Sequence, residues 1–162
     1  SYEIKQVHPI EVIHMKLNYS IQPEPEKTSK AIGKELHISK KHAHEISSAI
    51  KGMKVDTARG FLEDVTELKQ AVPYKRYTCN VPHRRGMCTG RYPQKAAKEF
   101  LRVLKNAESN ATYKGLDSEN LKITHVATKT GHTYMGQFPR AQGRASPKRQ
   151  ETVSVEMILE AQ

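Results

Sequence analysis

Hydrophobic residues recur every three or four positions in two stretches of the first half of the chain, a spacing typical of helices with one buried face. In the first stretch, Ser39 is placed to cap the helix and Gly52 to end it. The second stretch begins near Asp56 or Thr57, and Pro73 marks the latest position at which it can end. The buried positions predicted on these two helices are Ala43, Ile46, Ile50 and Met53, then Ala58, Phe61, Leu62, Val65 and Leu68.

A third and longer helix is predicted in the middle of the chain, with Pro93 as its first residue and Gly115 as its C-terminal cap. Its apolar positions cover a broad surface, as in a helix that packs deeply against other elements. These positions are Ala96, Ala97, Phe100, Leu101, Val103, Leu104, Ala107 and Ala111. We therefore expect this helix to form the centre of the core.

Apolar and polar residues alternate in three places, which is the pattern of a half-buried strand. The first consists of Leu17, Tyr19 and Ile21 and is ended by Pro23, and residues 27–37 after it are predicted to be a polar connection. The other two lie in the last third of the chain and are expected to pair antiparallel. They comprise Leu121, Ile123 and His125, and then Val153, Val155, Met157 and Leu159.

Two segments, 71–92 and 129–150, show no sustained period and are rich in proline and glycine. The first is interpreted as an insertion loop. The second lies between the two paired strands, so we expect it to continue their hairpin as an arm that projects roughly 30 Å at ~3.3 Å per residue. A two-stranded ribbon has no third layer to bury its side chains, so such an arm needs a partner to lie in.

The same two segments carry most of the positive charge. The 162 residues include 27 Lys and Arg against 17 Asp and Glu, a net charge of +10. Residues 71–105 hold nine cations and one acid, Glu99, whereas residues 121–150 hold six cations and no acid. Because such a surplus of one sign resists compaction unless a polyanion neutralises it, the charge distribution indicates a nucleic-acid partner.

Aromatic residues are interleaved with these cations, and rings beside arginines are groups that stack on unpaired RNA bases. The rings are Tyr74, Tyr77, Tyr92, Tyr134 and Phe138. A helix-turn-helix that reads specific DNA is disfavoured, because the second helix would present Glu63, Asp64 and Glu67 to phosphates. The residues predicted to contact RNA are Arg140, Arg144, Lys148, Arg149, Lys129, Arg76, Arg84, Arg85, Arg91 and Lys95.

One local cluster, formed by Cys79, His83 and Cys88, has the chemistry of metal ligands, but a structural zinc site needs four ligands. The fourth would have to come from elsewhere in the chain, from His42, His44 or His132. We therefore predict no metal. The sequence has neither a nucleophile-elbow pattern nor a glycine-rich phosphate loop, so no catalytic residue, no cofactor and no enzymatic activity are expected.

The cysteine count and the hydropathy pattern favour a cytoplasmic location. Two cysteines are too few for a disulfide scaffold in a chain of this size. No apolar run reaches the ~18 residues of a membrane span, and the first twenty residues lack the pattern of a signal peptide. We expect a soluble, unprocessed protein with no membrane partner.

Four sequence motifs resemble those of the universal L twenty-two family of large-subunit ribosomal proteins, and the match runs from about Leu17 to Glu160. The motifs are Ala49-Ile-Lys-Gly-Met53, Leu104-Lys-Asn-Ala-Glu-Ser-Asn-Ala111, Pro139-Arg-Ala-Gln-Gly-Arg-Ala145 and Val155-Glu-Met-Ile-Leu159. The insertion at 71–92 resembles that of archaeal and eukaryotic members. Because Met15-Lys-Leu-Asn-Tyr-Ser20 is similar to a family start, residues 15–162 are predicted to be one domain and residues 1–14 an N-terminal extension.

The resemblance implies an α+β fold, with three helices packed on a small antiparallel sheet and a long protruding β-hairpin arm at 129–150. It also implies a structural role in the large ribosomal subunit, with large-subunit RNA and neighbouring ribosomal proteins as partners. The arm would line the nascent-peptide exit tunnel. The residues expected to face the tunnel and its nascent peptide are Phe138, Pro139, Arg140, Ala141, Gln142, Gly143 and Arg144.

The chain departs from the family pattern on the first side of the arm, where residues 131–137 carry fewer cations than this stretch often does. His132 compensates only where it is charged. Two alternatives to the ribosomal role stay open from sequence: a free-standing regulatory RNA-binding protein, and a zinc-dependent or thiol enzyme.

Overall fold

The computed structural model describes residues 19–116 and 120–161. Its elements are β1 (Thr28–Leu36), α1 (Lys40–Ile50), α2 (Val55–Thr66), β2 (Val72–Pro73), β3 (Gly90–Arg91), α3 (Gln94–Tyr113), β4 (Leu121–Pro139) and β5 (Ala145–Ala161). A three-stranded antiparallel sheet has the order β1-β5-β4, and β2 pairs with β3 in a separate small ladder. This confirms the predicted α+β class. The predicted extension at 1–14 and Leu17 lie outside the described residues.

The first two helices lie where the apolar spacing places them. Ser39 is the N-cap residue of α1, although its side chain makes no capping hydrogen bond, and Gly52 follows the helix with a φ of +85°. The prediction for Leu68 is wrong: it lies beyond the end of α2, has a φ of +64° and is 55% exposed. The predicted positions that are buried are Ala43, Ile46, Ile50, Ala58, Leu62 and Val65.

Helix α3 forms the centre of the core, as predicted, and Phe100 on it is fully buried. Pro93 is its N-cap rather than its first residue. At the other end, the N–H of Gly115 donates to the carbonyl of Thr112, and the N–H of Leu116 donates to the carbonyl of Ala111. These two bonds form a Schellman motif, which requires the positive φ of +74° that Gly115 adopts.

The strand predicted around Tyr19 and Ile21 is not formed by the described residues there, and β1 instead occupies the segment that was expected to be a polar connection. Polar and small residues of β1 face the core because α3 lies close to it. The buried Ser29 hydroxyl donates to the carbonyl of Ala107 at 2.7 Å. A Cβ on Gly33 would lie 2.7 Å from a methyl carbon of Val103. This close packing removes the apolar alternation that identifies a strand from sequence.

Strands β4 and β5 pair antiparallel, as predicted, from Leu121 opposite Ala161 to Pro139 opposite Ala145. A bulge between Ile123 and His125 shifts the side-chain alternation, so that Val126 rather than His125 is buried in the core.

The two strands continue as the arm beyond the last residue pair of β1 and β5, which joins Leu36 to Val153. A second bulge at 130–133 lies at the base of the arm. Gly131 is required there, because a Cβ would lie 2.5 Å from the hydroxyl of Thr152. From Thr133 onward the two-stranded ribbon extends about 24 Å at ~3.4 Å per residue. It is shorter than the predicted 30 Å because residues 129 and 130 still pair beside the three-stranded part.

A buried carboxylate, Glu156, lies at a position where the alternation of β5 predicted a solvated polar residue; it is 1% exposed. Its oxygens accept the backbone N–H of Ser20 at 3.2 and 3.3 Å, and lie 3.1 Å from Nζ of Lys129 and 3.4 Å from Nε2 of His125. Burial alone would raise the pKa of Glu156, but these partners hold it below its ordinary value.

A second buried carboxylate, Glu45 on α1, holds the start of the insertion loop. It is 1% exposed and accepts the backbone N–H groups of three successive residues at 2.8 to 3.0 Å, those of Lys75, Arg76 and Tyr77. Burial would raise the pKa of Glu45, but the three N–H groups and the nearby His44 lower it. The loop is therefore fixed to α1 by charge-assisted hydrogen bonds.

The strand register predicts that amide hydrogens of the arm and of the core sheet exchange at different rates in the isolated protein. We expect amides of the arm between Thr133 and Gln150 to exchange on the order of a hundredfold faster than those of residues 153–159, because only the latter lie between two partner strands. Exchange followed by mass spectrometry or NMR measures this difference. Equal protection of both sets in the ligand-free molecule would show that the arm is rigid by itself.

The buried contacts of Glu45 predict the effect of Glu45→Gln on stability. The variant loses one acceptor oxygen, so we expect the free energy of unfolding at pH 7 to fall by about 2 kcal/mol. Because the folded pKa of Glu45 is depressed, its contribution is complete above the ordinary value of 4.5 and is lost as the pH falls below it. The difference in the free energy of unfolding between wild type and the Glu45→Gln variant should therefore become smaller at acid pH.

Urea unfolding at several pH values provides the measurement. Glu63→Gln, at an exposed position of α2, is the matched control and should change stability by less than about 0.5 kcal/mol. A Glu45→Gln protein as stable as wild type at pH 7 would contradict the proposed anchoring.

Candidate nucleic-acid interface

The tip of the arm is a compact turn that exposes two arginines. A short 3-10 turn at Ala141–Gly143 connects the strands, with Gln142 and Gly143 at positive φ of +59° and +69°. The backbone N–H of Arg140 donates to the carbonyl of Arg144 at 2.8 Å and closes the turn. All seven residues predicted at the tip, 138–144, are exposed. Two guanidinium groups at one turn are suited to bidentate contacts with phosphate oxygens.

The sides of the arm carry the remaining cations predicted there. Nζ of Lys148 lies 5.0 Å from the ring centroid of Phe138, a cation–π contact between the two strands. Arg149 lies near the base and lines a shallow cavity of about 340 Å³ together with Lys95 of α3. The structure therefore brings together two predicted RNA-contact residues that are 54 positions apart in the chain.

Lys129 is placed differently from the other predicted cations. Its Nζ lies 3.1 Å from the buried Glu156 carboxylate, so its charge is balanced within the protein. It remains 45% exposed at the side chain, but the ion pair reduces the attraction that it offers to phosphate.

The insertion loop presents a second group of cations, several of them stacked on rings. The guanidinium of Arg84 lies 5.3 Å from the ring centroid of Tyr92, and that of Arg76 lies 5.8 Å from the ring of Tyr77. Arg91 donates through Nη2 to the carbonyl of Asn80 at 2.7 Å. These contacts hold the guanidinium groups beside rings or a backbone carbonyl, and guanidinium groups stack on unpaired bases as well as bind phosphates.

Arg85 is exposed in the four-residue turn that joins Arg84 to Met87. The loop is therefore a surface of ordered cations, held at its start by Glu45 and at its ends by the ladder of β2 with β3.

The cysteines and histidines of the loop form no ligand set in the described residues. Cys79 and Cys88 are both free and exposed. Within 19–116 and 120–161, no group of three or more His, Cys, Asp or Glu side chains is arranged to hold a metal ion. None of the helices described is both long and apolar enough to cross a bilayer.

Sequence reasoning considered His42 only as a metal ligand, but the structure places it at the insertion loop. Its Nδ1 is hydrogen-bonded to the hydroxyl of Tyr74 at 2.5 Å, and the rings meet edge to face. Burial, followed by the charges of Arg91 and Lys41, lowers the pKa of His42. Burial raises the pKa of Tyr74 to about 12. Both rings are therefore neutral at pH 7. No local pattern in the sequence identifies this contact, because His42 and Tyr74 are 32 positions apart in the chain.

Comparison with known proteins places the whole fold in a family. Residues 31–160 match the family model described as "Ribosomal protein L22p/L17e". A "Large ribosomal subunit protein uL22" from Methanothrix thermoacetophila is 58% identical over 147 residues, which cover 89% of this chain and 96% of the relative. Proteins of the same name are similar to this chain in Archaeoglobus fulgidus, at 51% identity over 90% of the chain and 96% of the relative, and in Methanocaldococcus jannaschii, at 50% over 90% and 95%.

The matched span includes the core sheet, all three helices, the insertion loop and the arm. It confirms the resemblance drawn from the sequence motifs. The chain belongs to the ribosomal protein L22p/L17e family.

Proposed function

We propose that this protein is a structural constituent of the large ribosomal subunit, where it binds and stabilises large-subunit ribosomal RNA. Membership of the family and the names of the relatives support this role. Its partners are ribosomal RNA and neighbouring large-subunit proteins, and its location is the cytoplasmic ribosome. The family consists of structural ribosomal proteins, so the function includes no catalytic step.

The observation that carries the proposal is the exposed, acid-free arm. Segment 129–150 contains Arg140, Arg144, Lys148 and Arg149, together with Lys129, whose charge is balanced by Glu156, and it has no carboxylate of its own. Beyond the core its two strands have no third layer, and its side chains are mostly exposed. The ribbon lacks counter-charge for its cations and surfaces that cover its exposed rings. RNA packed around it supplies both.

The insertion loop and the arm bind different parts of the RNA. Arg84, Arg85, Arg76 and Arg91 of the loop and Lys95 of α3 neutralise phosphates beside the globular domain, while the arm reaches between RNA segments. Contacts of one protein with separate RNA segments hold those segments in a fixed relation, and this is how the protein stabilises the folded RNA.

The tip of the arm lines the nascent-peptide exit tunnel. Residues 138–144 form a narrow turn without a buried side chain, which fits a position at a tunnel wall rather than one enclosed by protein. Phe138 supplies an apolar surface, and Arg140 and Arg144 supply positive charge. A passing peptide therefore comes close to both an apolar and a charged surface. Phosphates on the RNA side hold the turn in place through the same arginines.

Sedimentation distinguishes this role from that of a regulator that acts off the ribosome. We expect the protein to co-migrate with large subunits in one copy per particle and to remain there through a wash at moderate salt, because many phosphate contacts must be broken together. Quantitative mass spectrometry of gradient fractions measures the ratio. Protein found only in the unbound fractions would favour the regulator.

Removing the two tip arginines should weaken RNA binding in a salt-dependent way. For Arg140→Gln/Arg144→Gln, we expect the plot of log affinity against log salt to become shallower by about 0.7 to 0.9 for each phosphate that the variant no longer neutralises. Filter binding to purified large-subunit RNA measures the slope.

The matched control is Lys27→Gln/Lys69→Gln, which removes the same charge from residues already paired with Glu24 and Glu67. Its slope should stay close to that of wild type. A wild-type affinity that does not change with salt would refute the electrostatic account of binding.

A further inference from the structure

We infer that a single unstacked nucleoside of the large-subunit RNA occupies a cavity between helix α1 and the insertion loop. This inference rests on the proposed function and adds to it a defined site and ligand class. The cavity has a volume of about 340 Å³. The lining residues that matter are Lys41, His42, Tyr74, Arg76, Tyr77 and Arg91.

The size of the cavity matches a small ligand. Sites for small molecules have volumes of roughly 300 to 1,000 Å³, and this one lies near the lower limit. An RNA helix is far too wide to enter it, whereas one base turned out of its stack is a flat ring that fits a cleft of this kind. The occupant is therefore one nucleoside of a chain whose phosphates stay outside.

The lining is aromatic where a base would lie. Three of its members carry rings: His42, Tyr74 and Tyr77. Tyr74 is 5% exposed, so it forms the floor, while His42 and Tyr77 are half-buried. Each half-buried ring is held by an edge-to-face partner, Tyr74 for His42 and His44 for Tyr77. Rings fixed in this way stack on a base with little loss of side-chain freedom.

Cations surround these rings. Lys41 and Arg76 are exposed, Arg91 is half-buried, and among the described residues no carboxylate lines the cavity. The guanidinium of Arg76 lies 5.8 Å from the ring centroid of Tyr77, and a guanidinium is itself a flat group on which a base can stack. This combination of rings with positive charge at the margin accepts the flat base inside and the phosphates of the same nucleotide outside.

Hydrogen bonds within the protein hold the wall of the cavity in place. The carboxylate of Glu45 holds the backbone of residues 75–77, and the hydroxyl of Thr89 donates to the carbonyl of Tyr74 at 2.6 Å. Because the loop is fixed on both sides of Tyr74, binding of a base requires no folding of the wall. Preformed sites of this kind lose less entropy on binding.

Ultraviolet cross-linking of wild-type large subunits tests the inference directly, because a base stacked on a ring forms a zero-length cross-link. We expect mass spectrometry of the digested particle to find one nucleotide attached at Tyr77 or His42, the two half-buried rings of the lining. Nucleotide adducts confined to other parts of the chain, such as the arm, would overturn the inference and leave the proposed function standing. Absence of the protein from large subunits would overturn both.

A variant provides the second test. In large subunits that contain Tyr77→Leu, we expect one or two adjacent nucleotides to become roughly fivefold or more reactive to a reagent that acylates the ribose 2′-hydroxyl of all four nucleotides, since the stacking that restrains the base is removed. Tyr77→Phe keeps the ring and should restore protection. Tyr113→Leu is the matched control, because the Tyr113 ring is 93% exposed and does not line the cavity. Unchanged reactivity of every nucleotide in particles that retain the Tyr77→Leu protein would overturn the inference.

Discussion

The pairing of β4 with β5 is the interaction on which the rest of the molecule depends, because the same two strands form the core sheet and the arm. Within the core, β5 lies between β1 and β4, and its residues 153–159 are almost entirely buried. The ladder then continues past the end of β1 without a change of partner. The direction of the arm is therefore set by the strands of the core sheet. The bulge with Gly131 lies where the strands leave the core and their side chains become exposed.

Two buried carboxylates attach the outer parts of this basic chain to that core. Glu156, on the central strand, receives the backbone of Ser20 and the cation of Lys129. Glu45, on α1, receives three successive N–H groups of the insertion loop. A buried carboxylate is costly unless its oxygens are satisfied, and in both cases backbone N–H groups outside the helices supply hydrogen bonds, that of Ser20 for Glu156 and those of residues 75–77 for Glu45. Hydrogen bonding thus adds to apolar packing in holding these segments to the core.

The sequence predicted the helices and the hairpin because their signals are local. Apolar spacing placed α1, α2 and α3 within a residue or two, and turn residues placed the arm. The prediction from sequence failed at β1. There the small residues Ser29 and Gly33 are required by the close approach of α3, a helix 70 or more positions away in the chain. The bulge that buries Val126 instead of His125 also depends on a partner strand. The same limit applies to the candidate interface: charge density identified the two cationic segments, but the pairing of Lys129 with Glu156 arises only after the chain has folded.

The distribution of acids explains how a protein with a net charge of +10 folds and still binds a polyanion. Its two most buried carboxylates, Glu45 and Glu156, face inward and fasten chain segments, and neither segment 71–92 nor segment 129–150 contains an Asp or Glu of its own. The tip of the arm and the insertion loop therefore carry positive charge that no acid within the same segment offsets. Self-repulsion among these cations favours extended over collapsed arrangements of the two segments. Under the proposed function an extended ribbon can reach separate RNA segments, so the charge that opposes compaction of the free protein also places the exposed cations of the arm where folded RNA can contact them.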